Sequence, residues 1–494
     1  MVEELTNPIL LVALPLFFVF LSVIIASFNK KIVKYIPVVS FAANLLVLIS
    51  LSSKVLSQGI VLSFTAGLKP PLSINLAVDK LSFLLAFLTN FLAFAISIYN
   101  VFYIKERLED KFHILFMILG LSTTWLIITG DLFNLFVAFE IVSVSSFSLV
   151  AFTREKESVE AGFKYLVLGN LAGVLLLIGV ILVYTSTGTL NIADIALKIS
   201  SFTLSQKVIP FLFIFTGLAV EGALFPLNSW LPDAHPSAPS GISAFLSGIV
   251  TTSAIYGIVR VVITVFNFPV VPLAFVILGL VTLIYGEIAA FYQKDIKRML
   301  AFSTIGQTGL IFLTFFAGGE PSISASLMQV LNHSLSKAIL FLVAGSMVLK
   351  VGSRDIEGLK GLGFKMRGSA VVFIVAVLSL VGIPPFFGFF SKVNILTSLL
   401  SESETSSLLF LVIPILFFSI IEAAYFFKVI KILFTRTRDT YPSENYRLLL
   451  PALIILAALI LISAFPNQVL AFMKETAHNI LQRDFYIRSV IGGI

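Results

Sequence analysis

Acidic side chains lie inside long apolar stretches of this sequence, where an unpaired charge is costly. Glu140 is in the middle of DLFNLFVAFEIVSVSSFSLV, and Glu221 lies five residues before Pro226 in FTGLAVEGALFPLNSWLPDAHP. A charge in a bilayer core costs at least about 2.5–3.5 kcal/mol, so a chain that keeps several usually uses them. Proline frees backbone carbonyls, and helix breaks in transporters often mark ion sites. Both carboxylates are therefore candidates for carrying ions. The alternatives are a structural ion pair with a lysine for Glu140 and a hydrogen-bonded polar group at a helix kink for Glu221.

Basic side chains occur in the same kind of setting. His333 and Lys337 are spaced i, i+4 in MQVLNHSLSKAILFLVAG, which places them on one helical face, and histidine suits proton relay. Lys392 follows a double proline in GIPPFFGFFSKVNIL, where a buried lysine can exchange protons. Lys164 begins the apolar part of EAGFKYLVLGN. The alternatives are a structural polar cluster for the His–Lys pair and snorkelling to the membrane surface for Lys164 and Lys392.

Two further carboxylates, Glu287 and Glu422, lie in the apolar segments LIYGEIAAFYQ and FSIIEAAYFF. Each is several residues from a basic loop, so we expect a local Lys or Arg partner and give these residues less weight. The charges are spread over many segments, which favours a chain of ion sites over one substrate pocket. The sequence contains no Gly-rich phosphate loop, haem ligand pair or nucleophile–base arrangement.

The amino-acid composition indicates what kind of fold must hold these charged side chains in place. The chain has 494 residues, of which 58% are hydrophobic and 12% charged, and its mean hydropathy is +1.05. A soluble domain carries about 25% charged residues, so these values exclude a disordered chain and argue against a soluble enzyme. With no cysteine and four histidines, the sequence predicts no disulfide and no Cys- or multi-His-ligated cofactor in this chain. The net charge of +7 is attributed to membrane topology, and no nucleic-acid partner is expected.

Apolar segments long enough to cross a bilayer, at about 20 residues each, recur along the whole chain. The first is predicted to be a retained helix rather than a signal peptide, because Glu3 and Glu4 stand where a signal would be basic. The sequence thus predicts an all-α polytopic membrane protein with about fourteen spans, at 8–28, 35–53, 79–103, 112–129, 132–152, 162–185, 208–230, 240–262, 269–291, 299–318, 324–349, 369–400, 407–432 and 448–470. The seventh contains Pro226 and the twelfth contains Gly382-Ile-Pro-Pro385, so we expect both to be broken.

The distribution of basic residues predicts the orientation. When successive loops are assigned to alternate sides of the membrane, 21 Lys and Arg residues, including Arg107 and Arg438, lie on one side and 8 lie on the other. The remaining four lie inside spans or at their edges. Because cytoplasmic loops carry the basic excess, both termini are predicted to be extracytoplasmic in the plasma membrane. Only a short tail is expected after about residue 471.

Four sequence blocks carry a family resemblance. They are ALFPLNSWLPDAHPSAPSGISAFLSG, AFYQKDIKRMLAFSTIGQTG, HSLSKAILFLVAG and GIPPFFGFFSK, in that order. The chain resembles the antiporter-like subunits of respiratory complex I, the D-type subunits of Mrp antiporters, and the antiporter-like subunits of archaeal membrane-bound hydrogenase and sulfur-reducing complexes. The resemblance implies two inverted five-helix repeats, at spans 4–8 and 9–13. The expected division is 1–110, 111–265 (first repeat), 266–435 (second repeat) and 436–494.

The family also implies an ion path from a Glu on the fifth span to basic residues on the eleventh and twelfth. By position these are Glu140, then His333 and Lys337, then Lys392. Lys164 is a further candidate because of its place at the start of an apolar segment and not because of the resemblance. This sequence departs from the pattern at Glu221 and Thr252, where the family commonly has Lys, and Lys or His. Facing carboxylates at Glu140 and Glu221 cannot both stay ionised cheaply, so one holds a proton or a cation such as Na⁺ lies between them. The first half of the path is therefore expected to be altered and the second intact.

Three hypotheses follow from this resemblance. The leading one is an ion-translocating subunit, without catalytic activity of its own, that moves H⁺ or Na⁺ in a redox-driven respiratory complex. Its partners would be other integral membrane subunits, a peripheral redox arm with iron–sulfur or NiFe centres, and lipids. The second is a subunit of a gradient-driven Mrp-type Na⁺/H⁺ antiporter. The third is a spacer that has lost transport, which the departures at Glu221 and Thr252 motivate.

Overall fold

The computed structural model describes residues 6–68, 70, 73–105, 108–268, 273–401, 409–437 and 443–492. Within these ranges, thirteen helices are long and apolar enough to cross a membrane, and a bent segment around residues 357–381 raises the number to fourteen. The predicted all-α polytopic membrane fold is confirmed. Arg107 and Arg438, two of the basic loop residues, lie outside the described residues.

The first half of the chain contains the helices that surround Glu140 and Glu221. Their bounds are α1 Leu10–Phe28, α2 Lys30–Val33, α3 Ile36–Gln58, α4 Lys80–Tyr103, α5 Glu109–Ile128, α6 Leu132–Val150, α7 Lys156–Thr187, α8 Ile192–Lys198, α9 Leu204–Glu221, α10 Leu231–Ser237, α11 Ser240–Phe245 and α12 Thr251–Arg260. A hairpin of β1 Ile60–Phe64 and β2 Asn75–Asp79, paired from Ile60↔Asp79 to Phe64↔Asn75, precedes α4. This hairpin was not predicted.

The second half contains the helices around Lys337 and Lys392. Their bounds are α13 Leu273–Phe291, α14 Ile296–Ala317, α15 Glu320–Val351, α16 Arg367–Val381, α17 Phe387–Ser401, α18 Val412–Leu433, α19 Tyr446–Ala464, α20 Pro466–Leu481 and α21 Arg483–Gly492. Two of them, α20 and α21, follow the last span where only a short tail was predicted.

Two of the spans are interrupted where proline or glycine prevents the helix from continuing. The helix α9 ends at Glu221, and residues 222–230 form turns before α10 begins at Leu231. Similarly, α16 ends at Val381 and α17 begins at Phe387, with Gly382 at φ +89° between them. Both predicted breaks are present. The two inverted repeats and the domain boundaries stay predictions.

One span changes its helical pitch. Between α11 and α12 the chain forms a π-helical turn at Leu246–Val250, and a second one follows at Val261–Phe266. In a π turn, i→i+5 backbone hydrogen bonds replace the i→i+4 bonds of the α-helix, and such turns are frequent at functional sites. The whole stretch from Ser240 to Phe266 is deeply buried, so the first π turn offers its backbone carbonyls to neighbouring helices.

The helices α13 and α14 approach each other closely through glycines. A Cβ at Gly286 would overlap the backbone of Gly306, and a Cβ at Gly279 would lie 2.7 Å from the Leu313 backbone nitrogen. Small residues at helix crossings allow such contact in membranes, where packing rather than water exclusion drives association. The close approach fixes α13 beside α14 and thereby positions Glu287.

The C-terminal helices pack against one end of the bundle. The Glu475 carboxylate of α20 pairs with Lys80, and Arg483 of α21 donates to the backbone carbonyls of Thr264 and Ala196. Beside them, the guanidinium of Arg260 lies 2.6 Å from Asp79 and stacks over the ring of Tyr486. These contacts close the end of the bundle at which β2 and α12 meet.

Candidate functional site

Lys392 is held at the break between α16 and α17. Its ammonium donates to the free backbone carbonyl of Val381 at 2.9 Å and pairs with the Glu422 carboxylate of α18 at 2.8 Å. Gly382 lies against the lysine stem, where a Cβ would be 2.9 Å from the Lys392 Cδ, so a side chain here would be strained and crowded. The break therefore supplies both the acceptor and the space for a buried cation.

A chain of hydrogen bonds leads away from this ion pair. The amide of Gln307 donates to Glu422 at 2.7 Å, and the amide of Gln329 donates to Gln307 at 2.6 Å. The hydroxyl of Ser391 then donates to Gln329 at 2.6 Å. All four side chains are buried, so α14, α15, α17 and α18 share one internal polar network.

A second group of polar side chains lies beside the first. The Lys337 ammonium donates to Ser303 at 2.6 Å and to the Leu300 carbonyl at 3.3 Å. The Tyr425 hydroxyl lies near Ser303 and donates to Glu287 at 2.9 Å. Glu287 is also within electrostatic reach of Lys337 and Glu422. Positive and negative side chains therefore alternate through the interior of the bundle, and only some neighbouring pairs are in direct contact.

His333 connects this region to the π turn. Its Nε2 lies 3.0 Å from the Ser247 carbonyl, so Nε2 carries the proton in this contact. The Ser247 hydroxyl is 2.7 Å from that of Thr304. The His333 Nδ1 is buried and has no hydrogen-bond partner among the described residues. The lone pair of Nδ1 is therefore available to accept a proton, while the Nε2 proton is held by a backbone carbonyl.

In the first half, Glu221 is the last residue of α9 and is 1% exposed. The hydroxyl of Tyr165 donates to its Oε1, while its Oε2 has no partner in the described part of the chain. The ring of Tyr165 stacks on Trp230 at 3.9 Å, and Trp230 donates to the Val220 carbonyl at 2.8 Å. These contacts fix the helix break around the Glu221 carboxylate.

Glu140 and Lys164 are both less enclosed. Glu140 is half-buried and lies against Gly173 of α7, and its charge is close enough to repel that of Glu221. Lys164 is 48% exposed and pairs with Glu160 at 2.9 Å and with Asp233 at 3.0 Å. The structure therefore brings Glu140 near Glu221 and places Lys164 in an exposed ion-pair cluster.

Thr252 lies in apolar surroundings. Together with Leu81, Leu85, Ile255 and Val330 it lines a cavity of about 10 Å³, roughly the size of one water molecule. No hydrogen bond from its side chain to another described residue is seen. At this position the side chain carries no charge, and the alteration of the first half stays a prediction.

Two buried basic residues were not predicted as part of the site. Lys297 donates to the Ala238 carbonyl at 2.6 Å and borders a cavity of about 830 Å³ that Lys105, Lys156 and Arg354 also line. His235 is fully buried, stacks on Phe341 at 4.8 Å, and has both ring nitrogens unpaired within the described ranges. The sequence signal was weak because both residues flank loops rather than interrupt an apolar run.

The expected partners of Glu287 and Glu422 were wrong. Glu422 pairs with Lys392, which is 30 residues away in another helix, and Glu287 accepts from Tyr425. Neither uses a basic residue of the adjacent loop. Both carboxylates lie at the centre of the second-half network, although their sequence context favoured a peripheral role. Their burial in apolar segments was the signal that could have identified them.

Comparisons with known proteins identify the family. A family described as "NADH:quinone oxidoreductase/Mrp antiporter, TM" matches residues 129–417. The chain is 33% identical over 416 residues to NADH-quinone oxidoreductase subunit N of Desulforudis audaxviator, and the match covers 81% of this chain and 82% of that protein. It is 29% identical over 466 residues to the D-type subunit of a Na(+)/H(+) antiporter of Alkalihalophilus pseudofirmus, with 90% and 92% coverage.

A solved structure shows the same fold over almost the whole chain. The fold matches a chain of the membrane-bound sulfane sulfur reductase, an archaeal respiratory membrane complex, with a TM-score of 0.92 and 30% identity. The match covers 97% of this chain and 99% of that chain. The multi-pass membrane fold, the buried charges and these matches agree, and the chain belongs to the transmembrane family of NADH:quinone oxidoreductase and Mrp antiporter subunits.

Proposed function

We propose that this chain is an ion-translocating, antiporter-like subunit of a larger, redox-driven membrane complex. It has no catalytic activity of its own, and electron transfer in partner subunits drives charge switching along its interior. Lys392, Glu422, Glu287, Lys337 and His333 relay protons through the second half. Glu140 and Glu221 act on an ion in the first half.

The observation that carries this proposal is the buried Lys392–Glu422 pair and its hydrogen-bonded extension to Gln307 and Gln329. A buried ion pair contributes little to stability compared with apolar packing, so its retention calls for another role. An ion pair at a helix break, next to a second carboxylate and a second lysine, can open and close as nearby charges change. That is the property that long-range coupling between an ion path and a distant reaction needs.

The proposed setting is a plasma-membrane complex with other integral subunits and a peripheral arm. In this setting both termini are extracytoplasmic, and iron–sulfur or NiFe centres belong to the partner subunits. The similarity to a respiratory sulfane sulfur reductase chain supports a redox-driven complex. The similarity to a Na(+)/H(+) antiporter chain supports the second candidate, a gradient-driven Mrp-type antiporter that uses the same residues.

Co-purification separates these two candidates. The chain is tagged, native membranes are solubilised in mild detergent, and all associated proteins are identified. Iron–sulfur proteins together with hydrogenase-like or quinone-reductase-like subunits are expected. If only small Mrp-type membrane subunits accompany the chain, the redox-driven proposal is rejected in favour of the antiporter.

A further inference from the structure

We propose that the cavity of about 830 Å³ beside Lys297 binds a phosphate group through Lys105, Lys156 and Lys297. The phosphate belongs either to the head group of an anionic lipid or to a soluble phosphate, and the binding chemistry is the same for both. This inference goes beyond ion translocation and does not rest on the proposed function, because none of the described lining residues belongs to the proposed ion path.

The cavity lies at one end of the bundle, where several helices begin or end. Its walls are the residue that follows α4 by two positions (Lys105), the first turn of α7, residues 236–239 between α10 and α11, and the last turns of α15. These segments are on the side that carries the predicted basic excess. Basic pockets between membrane helices on the cytoplasmic side bind lipid head groups, and small-molecule sites have volumes of about 300–1,000 Å³. The position and size of the cavity therefore fit a phosphate-bearing ligand.

The first argument is a buried cation without a counter-ion. Lys297 is 3% exposed, and among the described residues its ammonium contacts only the carbonyls of Ala238 at 2.6 Å and Pro236 at 3.5 Å. Asp295, two residues away, pairs instead with Arg354 at 3.0 Å. A buried charge that lacks a partner is strongly unfavourable. An anion in the adjoining cavity would supply the missing negative charge.

The second argument is that the basic groups converge. The Arg354 Nη1 lies 2.9 Å from the Pro236 carbonyl oxygen, which is the same atom that the Lys297 ammonium approaches. The Arg354 Nη2 pairs with Glu157, in the first turn of α7, at 2.7 Å. The head groups of Lys297 and Arg354 and the start of α7 therefore meet at one part of the cavity wall.

The third argument is the uncapped start of α7. The first turn of this 32-residue helix lines the cavity at residues 156–158, and no side chain caps its backbone N–H groups. By contrast, Asp295 caps the start of α14 through the N–H groups of Lys297 and Arg298. The positive end of a helix dipole and its free N–H groups attract phosphate oxygens. The helix end thus adds to the attraction that Lys297 exerts on an anion.

Two lysines at the rim of the cavity are available to the same anion. Lys105 and Lys156 are exposed, and the side chain of neither is paired with another described residue. The acidic lining residues are Glu155 and Glu157, and Glu157 is already paired with Arg354. With four basic and two acidic side chains, the lining has a net positive charge. The cavity should therefore attract anions.

The apolar part of the lining favours a lipid as the source of the phosphate. Val348 and Leu349, near the end of α15, both line the cavity, and Leu349 is 53% exposed. A soluble phosphate gains nothing from such a surface. The first acyl carbons of a lipid can cover it, and burial of apolar surface is favourable.

The test is equilibrium binding of ³²P-labelled phosphatidylglycerol to the purified, delipidated wild-type complex in phosphate-free detergent micelles. We expect a saturable component that unlabelled phosphatidylglycerol displaces. Phosphatidylcholine should displace it poorly, because choline adds a positive charge beside the same phosphate. Lys105→Ala combined with Lys156→Ala should weaken binding about 20-fold, since each lysine near a lipid phosphate contributes about fivefold.

Lys294→Ala combined with Lys360→Ala is the matched control. Both lysines are exposed and lie at the same end of the bundle, but neither is among the described lining residues. This variant loses the same charge and should bind phosphatidylglycerol as the wild type does. The inference is overturned if the Lys105 and Lys156 double variant binds like this control.

Lys297→Met tests the buried cation and should also weaken binding of the labelled lipid. Subunit composition and elution volume verify that each variant assembles. The rim variant at Lys105 and Lys156 keeps the test decisive if Lys297→Met does not assemble. Wild-type affinity in an assembled Lys297→Met complex would contradict the role of Lys297.

A second arm with ³²P-labelled inorganic phosphate separates the two sources. If phosphatidylglycerol binds saturably and inorganic phosphate does not displace it, the site holds a lipid head group. If inorganic phosphate binds with the same dependence on Lys105 and Lys156 and phosphatidylglycerol does not compete, the site holds a soluble phosphate. Both results support a phosphate site, and the absence of saturable binding of either probe overturns it. Neither arm requires substrate or electron transfer, so the outcome is independent of pumping.

Discussion

The Lys392 ammonium lies 2.8 Å from the Glu422 carboxylate, across two helices and at the end of a broken span. The same ammonium binds the Val381 carbonyl, which the break has released from its helical hydrogen bond. Lys392 can therefore be held by a carbonyl when Glu422 turns to another partner, and Gln307 is already bonded to that carboxylate. This alternation of partners makes the pair suitable as a switch.

Lys392→Ala should abolish ion pumping while the complex still assembles. The substitution removes the only cation that pairs with Glu422 in the described structure, whereas the Gln307 contact to that carboxylate is kept. Pumping is measured in sealed inverted vesicles with a pH-sensitive dye and electron transfer supplied by the native substrate. Wild-type pumping in this variant would refute the role of Lys392.

Lys164→Ala is the comparison that decides whether Lys164 belongs to the path. Solvent screens exposed ion pairs so that they contribute little, and the Lys164 side chain is 48% exposed. We expect it to retain most of the pumping activity at saturating substrate. A loss as complete as that of Lys392→Ala would instead place Lys164 on the ion path.

Gln307→Leu should slow pumping about tenfold, which corresponds to about 1.4 kcal/mol, the scale of one hydrogen bond. This change breaks the link between Glu422 and Gln329 without removing a charge. Gln293→Leu is the matched control, because its amide donates only to the Ala289 carbonyl of the preceding turn. Equal rates in the two variants would show that the glutamine chain is not part of the relay.

Gly286→Ala should lower the stability of the protein by about 1–3 kcal/mol, the usual cost of overpacking. The added Cβ would overlap the backbone of Gly306, which cannot move without displacing α14. Thermal unfolding in detergent measures the change. Gly358→Ala is the control, since among the described residues the atom nearest to its added Cβ would be the Ser353 Oγ, 3.6 Å away.

Asp131→Asn should stabilise the protein at alkaline pH. Asp131 caps α6 outside the spanning segment, and burial raises the pKa of its carboxyl to about 6. A carboxyl whose pKa is higher in the folded state than in the unfolded state destabilises the fold as pH rises from about 4 through 6. At pH 8 the variant should be more stable than the wild type by roughly 3 kcal/mol.

At pH 4 the difference between Asp131→Asn and the wild type should largely vanish, because the wild-type carboxyl is then mostly protonated in the folded state and the penalty of its charge is relieved. The asparagine oxygen can keep the 2.8 Å contact with the Asn134 amide. Thermal unfolding at both pH values tests this sign. A wild type that is more stable than the variant at pH 8 would contradict it.

The spans and both breaks could be predicted from the sequence because they depend on local properties. Apolar length determines whether a helix can cross the bilayer, and Pro226 or Pro384 and Pro385 determine where it cannot continue. The β-hairpin was missed because its five-residue strands lie in a segment between spans. The α20 and α21 helices were missed because they carry too many polar residues for a hydropathy count.

The partners in the site could not be predicted from local sequence. Tyr425 and Glu287 are 138 residues apart, and the contact depends on how α18 packs against α13. Candidate residues such as His333, Lys337 and Lys392 were identified because each interrupts an apolar run. Gln307 and Gln329 carry no charge, and nothing in their local sequence distinguishes them from other polar residues.

The contacts at the C-terminus have a consequence for the timing of biogenesis. Arg260 is buried between Asp79 and the ring of Tyr486, and Tyr486 lies in the last described helix to leave the ribosome. Until α21 is synthesised, the Arg260 guanidinium at the end of α12 lacks its contact with the Tyr486 ring. Membrane insertion of the spans can therefore precede final closure of this end. A nascent chain that stops before α21 would leave the Arg260 guanidinium uncovered on the side of Tyr486, while its ion pair with Asp79 is kept.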